Sequence, residues 1–356
     1  MLEYFLESYI VTILGLAGAY FWGEHVHPGS GLVCVFIALV LGVLEISLSF
    51  DNAVVNAMKL EKMSAVWRHR FITWGILIAV FGMRFLFPIL VVSIFAKLKM
   101  IDVAKIAISD VDKYAYYLHE THDPIVSFGG MFLIMLFLNY FFDNKKEVHW
   151  IRPVENWLAH LDHMKGIEIL ISLLALLATQ YVVPEGEKVA VLIAGISGIA
   201  TYLTIDGFTH YLEKHEQMRM NSSAAKAVGG AGLVSFIYLE LIDASFSLDG
   251  VLGAFAISKD IIIISIGLAI GAMFVRSLTI MLVEKKTLKQ FLYLVHGAHW
   301  AIGALACLML VSTVKDIPEA VTGGVGLAFI VGALISSIVH NKKMDKLLAQ
   351  EVEKNA

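Results

Sequence analysis

The residues in this chain best suited to chemistry are two acid–serine motifs. Residues 45–53 read Glu-Ile-Ser-Leu-Ser-Phe-Asp-Asn-Ala, and residues 243–251 read Asp-Ala-Ser-Phe-Ser-Leu-Asp-Gly-Val. Glu45 matches Asp243, Ser47 matches Ser245, Ser49 matches Ser247 and Asp51 matches Asp249. Both motifs interrupt apolar stretches of membrane-crossing length, where a carboxylate costs roughly 2.5–3.5 kcal/mol on insertion scales. Acids kept at that cost point to a cation site. Two copies in two halves of one chain point to one site built from a duplicated unit. Carboxylate, hydroxyl and amide oxygens suit hard divalent ions such as Mn²⁺, Mg²⁺ or Ca²⁺, and neither motif contains His or Cys.

The motifs need helices to position them. On an ideal helix Glu45, Ser49, Asn52 and Asn56 share one face, whereas Asp51 points about 120° away from Glu45 and stacks with Ser47. Either the helix unwinds around Ser47–Ser49 so that both acids meet one ion, or the acids serve different partners; serine is a suitable place for such a distortion. In the second copy Glu240, Asp243 and Ser247 share a face, with Asp249 stacked on Ser245. Arg84 and Arg276, in the segments that follow the motifs, are expected to position and charge-balance the acids. With them in place, the two motifs retain the charge that one divalent cation neutralises.

Composition sets the class. Of 356 residues, 58% are hydrophobic and 16% charged, too apolar for a soluble domain, where about 45–50% and about 25% are usual. The sequence predicts an all-α, polytopic transmembrane bundle of about ten spans, near 4–22, 31–58, 71–95, 125–142, 167–183, 189–207, 229–257, 261–283, 291–312 and 321–340. The two cysteines, Cys34 and Cys307, lie in apolar stretches and are read as packing residues. A net charge of −4 gives no hint of nucleic acid. The N-terminal segment lacks the basic flank of a cleaved signal and is expected to be a retained helix.

Most of the 27 lysines and arginines, Lys59, Arg68, Lys146, Arg152, Lys285 and Lys342 among them, fall on one side if both termini are cytoplasmic. That topology makes the two motif helices antiparallel, as inverted repeats require. A second anchor fits the same duplication, because Gly75 and Gly267 each precede an arginine, Arg84 and Arg276, by nine residues. The expected organisation is an N-terminal span (1–30) and a first three-helix repeat (31–96). A connector with polar loops and three spans (97–228) leads to the second, inverted three-helix repeat (229–312). A last span with a charged cytoplasmic tail (313–356) follows, its 342–354 stretch a short surface helix.

Other polar groups are weaker candidates. His296 and His299 share a helical face and suit metal binding or proton relay, but packing histidines explain them equally well. His119, Glu120, His122 and Asp123 crowd the 97–124 loop, which reads as a solvated polar segment. No nucleotide-binding loop, HExxH pair or Gly-x-Ser-x-Gly elbow is present, so no enzyme activity and no prosthetic group is expected.

At these motifs the chain resembles the TerC-like superfamily of integral membrane proteins. The matching elements are residues 45–53, Trp74-Gly75 through Arg84, Asp243 through Ile257, and Gly267 through Arg276. The resemblance implies manganese export or tellurite resistance in the bacterial inner membrane. It implies Glu45, Asp51, Asp243 and Asp249 as the ion-binding carboxylates, with Asn52 beside them. Gly250 and Val251-Leu252-Gly253 depart from that family's pattern, and the 97–228 connector is longer than usual. The expected partners are the lipid bilayer and a divalent ion, with homo-oligomerisation left open. The rival expectations are a non-transporting membrane scaffold in metal stress and a proton- or sodium-coupled exporter of another solute.

Overall fold

A computed structural model describes residues 2–355 apart from 76–77, 79–81, 83–85, 144–145, 147, 162–165, 221–229, 259, 286–289 and 316. The described residues form helices and connecting turns, with no strand among them. Among the described residues, seven helices are long and apolar enough to cross a bilayer. They are α1 (Leu2–Val26), α2 (Gly31–Leu48), α8 (His122–Phe142), α11 (Lys188–Met220), α13 (Ile261–Glu284), α14 (Leu294–Ser312) and α15 (Glu319–Asn355).

Three further expected spans lie outside these seven. The 167–183 segment is α10 (Ile167–Thr179), 13 residues long. At 1.5 Å per residue it covers about 20 Å of the roughly 30 Å hydrocarbon layer. The 229–257 segment is one helix, α12 (Gly230–Ile257), and it carries three acids within its 28 residues. The 71–95 segment opens as a π-helical turn over Phe71–Gly75 and closes as α5 (Phe87–Phe95); much of what lies between, Arg84 included, falls outside the described residues.

The 97–124 segment is not a polar loop. It folds as α6 (Met100–Ser109) and α7 (Val111–Glu120), because Val103 and Ala107, then Tyr114 and Leu118, recur four apart and are buried. Asp110 caps α7 by accepting the Lys113 amide at 3.2 Å. The charged tail also departs from expectation: it continues α15 without interruption instead of forming a separate surface helix.

Close helix approaches organise the bundle. Helix α8 is buried along most of its length, whereas α1 presents Leu6, Ile13, Leu14 and Phe21 outward. Ser127 Oγ donates to Val191 O, and Phe132 meets Tyr202 edge-on, so α8 and α11 run parallel. Along α13, Gly267 faces Ala38 and Leu41 while Gly271 faces Gly42 and Glu45, so α2 and α13 are also parallel. A Cβ on Gly267 would come within 2.5 Å of the Leu41 Cβ. A Cβ on Gly271 would lie 2.4 Å from the Glu45 Cβ. This Gly-x-x-x-Gly pair brings two backbones together as small residues do in membrane helices. Helix α1 runs antiparallel to α13, held at one end by Ser8 against Ser277 and Met273 O, and at the other by Trp22 Nε1 donating to Asp260.

Candidate functional site

The first motif sits where one helix becomes two. Helix α2 ends at Leu48 and α3 (Phe50–Lys62) begins at Phe50, with Ser49 at φ −105°, ψ 12°. The interruption is narrow, since the Ser49 amide still reaches Glu45 O and the Ala53 amide reaches Ser49 O. It falls within the stretch where geometry asked for unwinding. From outside, α15 presents Gly323 to the break, where an added Cβ would lie 2.8 Å from the Leu48 side chain.

Glu45 is 1% exposed, and its Oε1 accepts the Ser49 hydroxyl at 2.7 Å. The predicted shared face is therefore real: Glu45, Ser49, Asn52 and Asn56 are all buried. Ser47 turns away, its hydroxyl donating to Val43 O of its own helix at 2.8 Å. Across the interface Asn52 Nδ2 donates to Asp243 Oδ1, which ties the two motifs together over 191 residues of sequence. Lys59 Nζ stands 4.4 Å from the centre of the Tyr238 ring. With 52 meeting 243 and 59 meeting 238, α3 and α12 run antiparallel.

Glu240 lies on this interface as well. It is buried, and neither carboxylate oxygen has a hydrogen-bond partner among the described residues. Its Oε1 faces the π-helical turn, where a Cβ added to Gly75 would be 3.2 Å away. Asn56 Oδ1 is likewise buried without a hydrogen-bond partner. π-Helical turns recur at functional sites because the wider winding interrupts the regular backbone ladder.

The described cluster is thus Glu45, Ser49, Asn52, Asn56, Glu240 and Asp243. The side chains of Asp51, Ser245, Ser247 and Asp249 lie outside the described residues, as does Arg84. Arg276 pairs with Glu7 on α1, a partner the sequence did not suggest. Among the described residues, no three of His, Cys, Asp or Glu gather as a metal-binding group. Carboxylates, a hydroxyl and amides remain, an oxygen-rich set suited to a hard cation. Gly271 was missed as a site residue, although the Gly267-x-x-x-Gly271 spacing signals close packing and it forms the floor beneath Glu45.

His296 and His299 belong elsewhere. His299 stacks on Tyr140 at 3.4 Å and uses Nδ1 on Val295 O, while His296 Nε2 meets Val148 O at 2.8 Å. They join a packing knot around buried Glu155, whose carboxylate accepts the Trp150 and Ile151 amides and the Trp300 indole N–H. Glu155 was missed too; its signal is a helix start, with Pro153 in the first turn of α9 (Arg152–His160) and an acid reaching back to the preceding amides. In the same knot Lys146 sits over Tyr140 and Phe141, and burial lowers its pKa to about 8 against the raising pull of Glu155 and Asp143. Near the 97–124 segment His122 pairs with Asp123 at 2.9 Å, and Tyr116 donates to Glu120.

Residues 50–344 match the family model described as a protein of unknown function, DUF475, so the chain belongs to that family. No curated protein and no solved structure matches the chain.

Proposed function

We propose that this chain is a membrane transporter that exports a divalent metal cation, Mn²⁺ first among candidates, through a carboxylate site at mid-membrane. The observation that carries the reading is the Asn52–Asp243 bond, which joins the two motifs beside buried Glu45. An amide and acids from the two motifs, held together between apolar helices, cost too much to be kept for packing alone. In this reading Glu45, Asp51, Asp243 and Asp249 ligate the ion, Asn52 positions Asp243, and Ser49 orients Glu45. Ser47, Ser245 and Ser247 shape the surrounding helices.

The two halves act as inverted three-helix repeats within about ten spans. Their antiparallel contact between α3 and α12 suits alternating access by rocking of one half against the other. Arg84 and Arg276 offset the acids when the ion leaves. Both termini face the cytoplasm of a bacterial inner membrane, and a proton or sodium counter-flow supplies the driving force. The TerC-like resemblance of the motifs supports the same function and the same ion.

The test is cell-associated metal, measured by mass spectrometry in a manganese-exporter-deficient bacterium. Expression of the wild type lowers cell manganese, whereas Asp51→Ala and Asp249→Ala at matched membrane levels do not. Unchanged manganese with the wild type would overturn the reading in favour of another solute or of a scaffold. Lowered manganese with Asp51→Ala would remove that carboxylate from the site.

A further inference from the structure

The Asn52–Asp243 contact does not exhaust the polar surface between α3 and α12. On α3, Asn52, Asn56 and Lys59 recur at helical spacing and so share a face. Asn52 meets Asp243 and Lys59 meets Tyr238, which brackets Asn56 at the level of Glu240. On α12, Glu240 lies between Asp243 and Phe236, and Phe236 packs on Trp67 and Phe71. Glu240 therefore opens into the wedge between α3 and the π-helical turn, where Gly75 leaves room beside its carboxylate.

The Glu240 level brings acceptor oxygens of its own. Glu240 is 8% exposed and Asn56 6%, and both Glu240 oxygens and Asn56 Oδ1 lack a hydrogen-bond partner among the described residues. Three buried acceptor oxygens with no donor among them are what a cation needs. Without one they leave a desolvated carboxylate uncompensated. A hard divalent ion that keeps part of its water shell accepts such a partial cage.

We propose that Glu240 and Asn56 form a second oxygen-only subsite for a hard divalent cation, one helical turn from Asp243 toward the Lys59 end of α3. The inference rests on the transport reading above and extends it. The ion then moves between two binding levels, which eases its release from the more acidic one.

The test is a Mn²⁺ titration of the purified full-length protein in detergent. Free Mn²⁺ is counted by electron paramagnetic resonance, and the bound signal is inspected for broadening between neighbouring ions. The wild type binds two Mn²⁺ per chain with a broadened bound signal. Glu240→Gln binds one, without broadening, and Glu45→Gln keeps the Glu240 ion. Asn56→Leu, which spares the acid, weakens the second ion at least about tenfold, the loss usual even for outer-shell partners of a metal.

A wild type that binds one Mn²⁺, unaltered by Glu240→Gln, overturns the second subsite and leaves the transport reading intact. Loss of all Mn²⁺ from a normally melting Glu240→Gln protein also overturns it, because Glu240 would then belong to a single site. A single wild-type ion together with a higher-melting Glu240→Gln variant assigns the position to a proton and overturns the metal subsite. A wild type that binds no divalent ion removes the transport reading itself.

Discussion

The two acidic motifs share a spacing but not a construction. The first is split between α2 and α3 at Ser49, with Glu45 on one side and Asp51 in the first turn of the other. The second lies inside α12, which runs unbroken from Gly230 to Ile257. Glu45 is also clamped, since Ser49 donates to it from one side and Gly271 closes under it from the other. Asp243 depends instead on Asn52 from the opposite motif, and Glu240 faces the loosely wound turn at Gly75. The difference teaches that acid–serine spacing sets which oxygens are available, while the neighbouring helices decide how firmly each is held.

The largest expected effect tests whether these unlike halves serve one site. Glu45→Gln keeps an acceptor for Ser49, and Asp243→Asn keeps an acceptor for Asn52, so both proteins should melt as the wild type does. Under the proposed function each should nonetheless lose metal efflux to the background of cells lacking the protein, because each removes a charge assigned to the ion at bilayer depth. Efflux retained by one variant alone would break the comparison into one working motif and one structural motif.

A smaller effect separates the firmly held half from the loosely held one. A Cβ at Gly271 meets the Glu45 Cβ at 2.4 Å and Gly42 O at 2.8 Å, so helix backbones must separate. Gly271→Ala should cost about 1–3 kcal/mol, the range usual for overpacking, and should displace Glu45. A Cβ at Gly75 meets only the far end of Glu240 at 3.2 Å and the Phe71 ring at 3.2 Å. Gly75→Ala should therefore shift the melting temperature much less. Gly324, with nothing within 4 Å, is the control, where Ala should be neutral or slightly stabilising. Equal melting of the Gly271 and Gly75 variants would remove the asymmetry between the halves.

Much of this arrangement is legible in the chain itself, for a physical reason. Helical periodicity is local, so the shared face of Glu45, Ser49, Asn52 and Asn56 follows from spacing and is found buried. The interruption at Ser49 was foreshadowed by two acids that an ideal helix cannot bring to one ion. Tertiary partners are not local. Nothing in the order of residues says that Asn52 should find Asp243, that Arg276 should find Glu7, or that Glu155 should find the Trp300 indole. Helix ends are not legible in hydropathy either. The Ile167–Thr179 run is apolar enough to be read as a span, and apolarity continues through Tyr181, Val182 and Val183, yet the helix itself stops after 13 residues.

The last and most local effect concerns the hydroxyl that orients Glu45. Ser49→Ala removes the 2.7 Å bond to Oε1 in a buried setting. Hydrogen bonds to charged groups contribute about 1.5–3 kcal/mol, and a carboxylate left short of a donor gains from any cation that replaces it. The two consequences pull apart: the metal-free Ser49→Ala protein should melt lower, and saturating Mn²⁺ should recover part of the difference. Thermal melting of wild type and variant, with and without Mn²⁺, reads both at once. Recovery by Mn²⁺ places Ser49 beside the ion as an orienting group for Glu45. An equal loss at every metal concentration makes the bond purely structural, and the first motif would then owe its firmness to Gly271 alone.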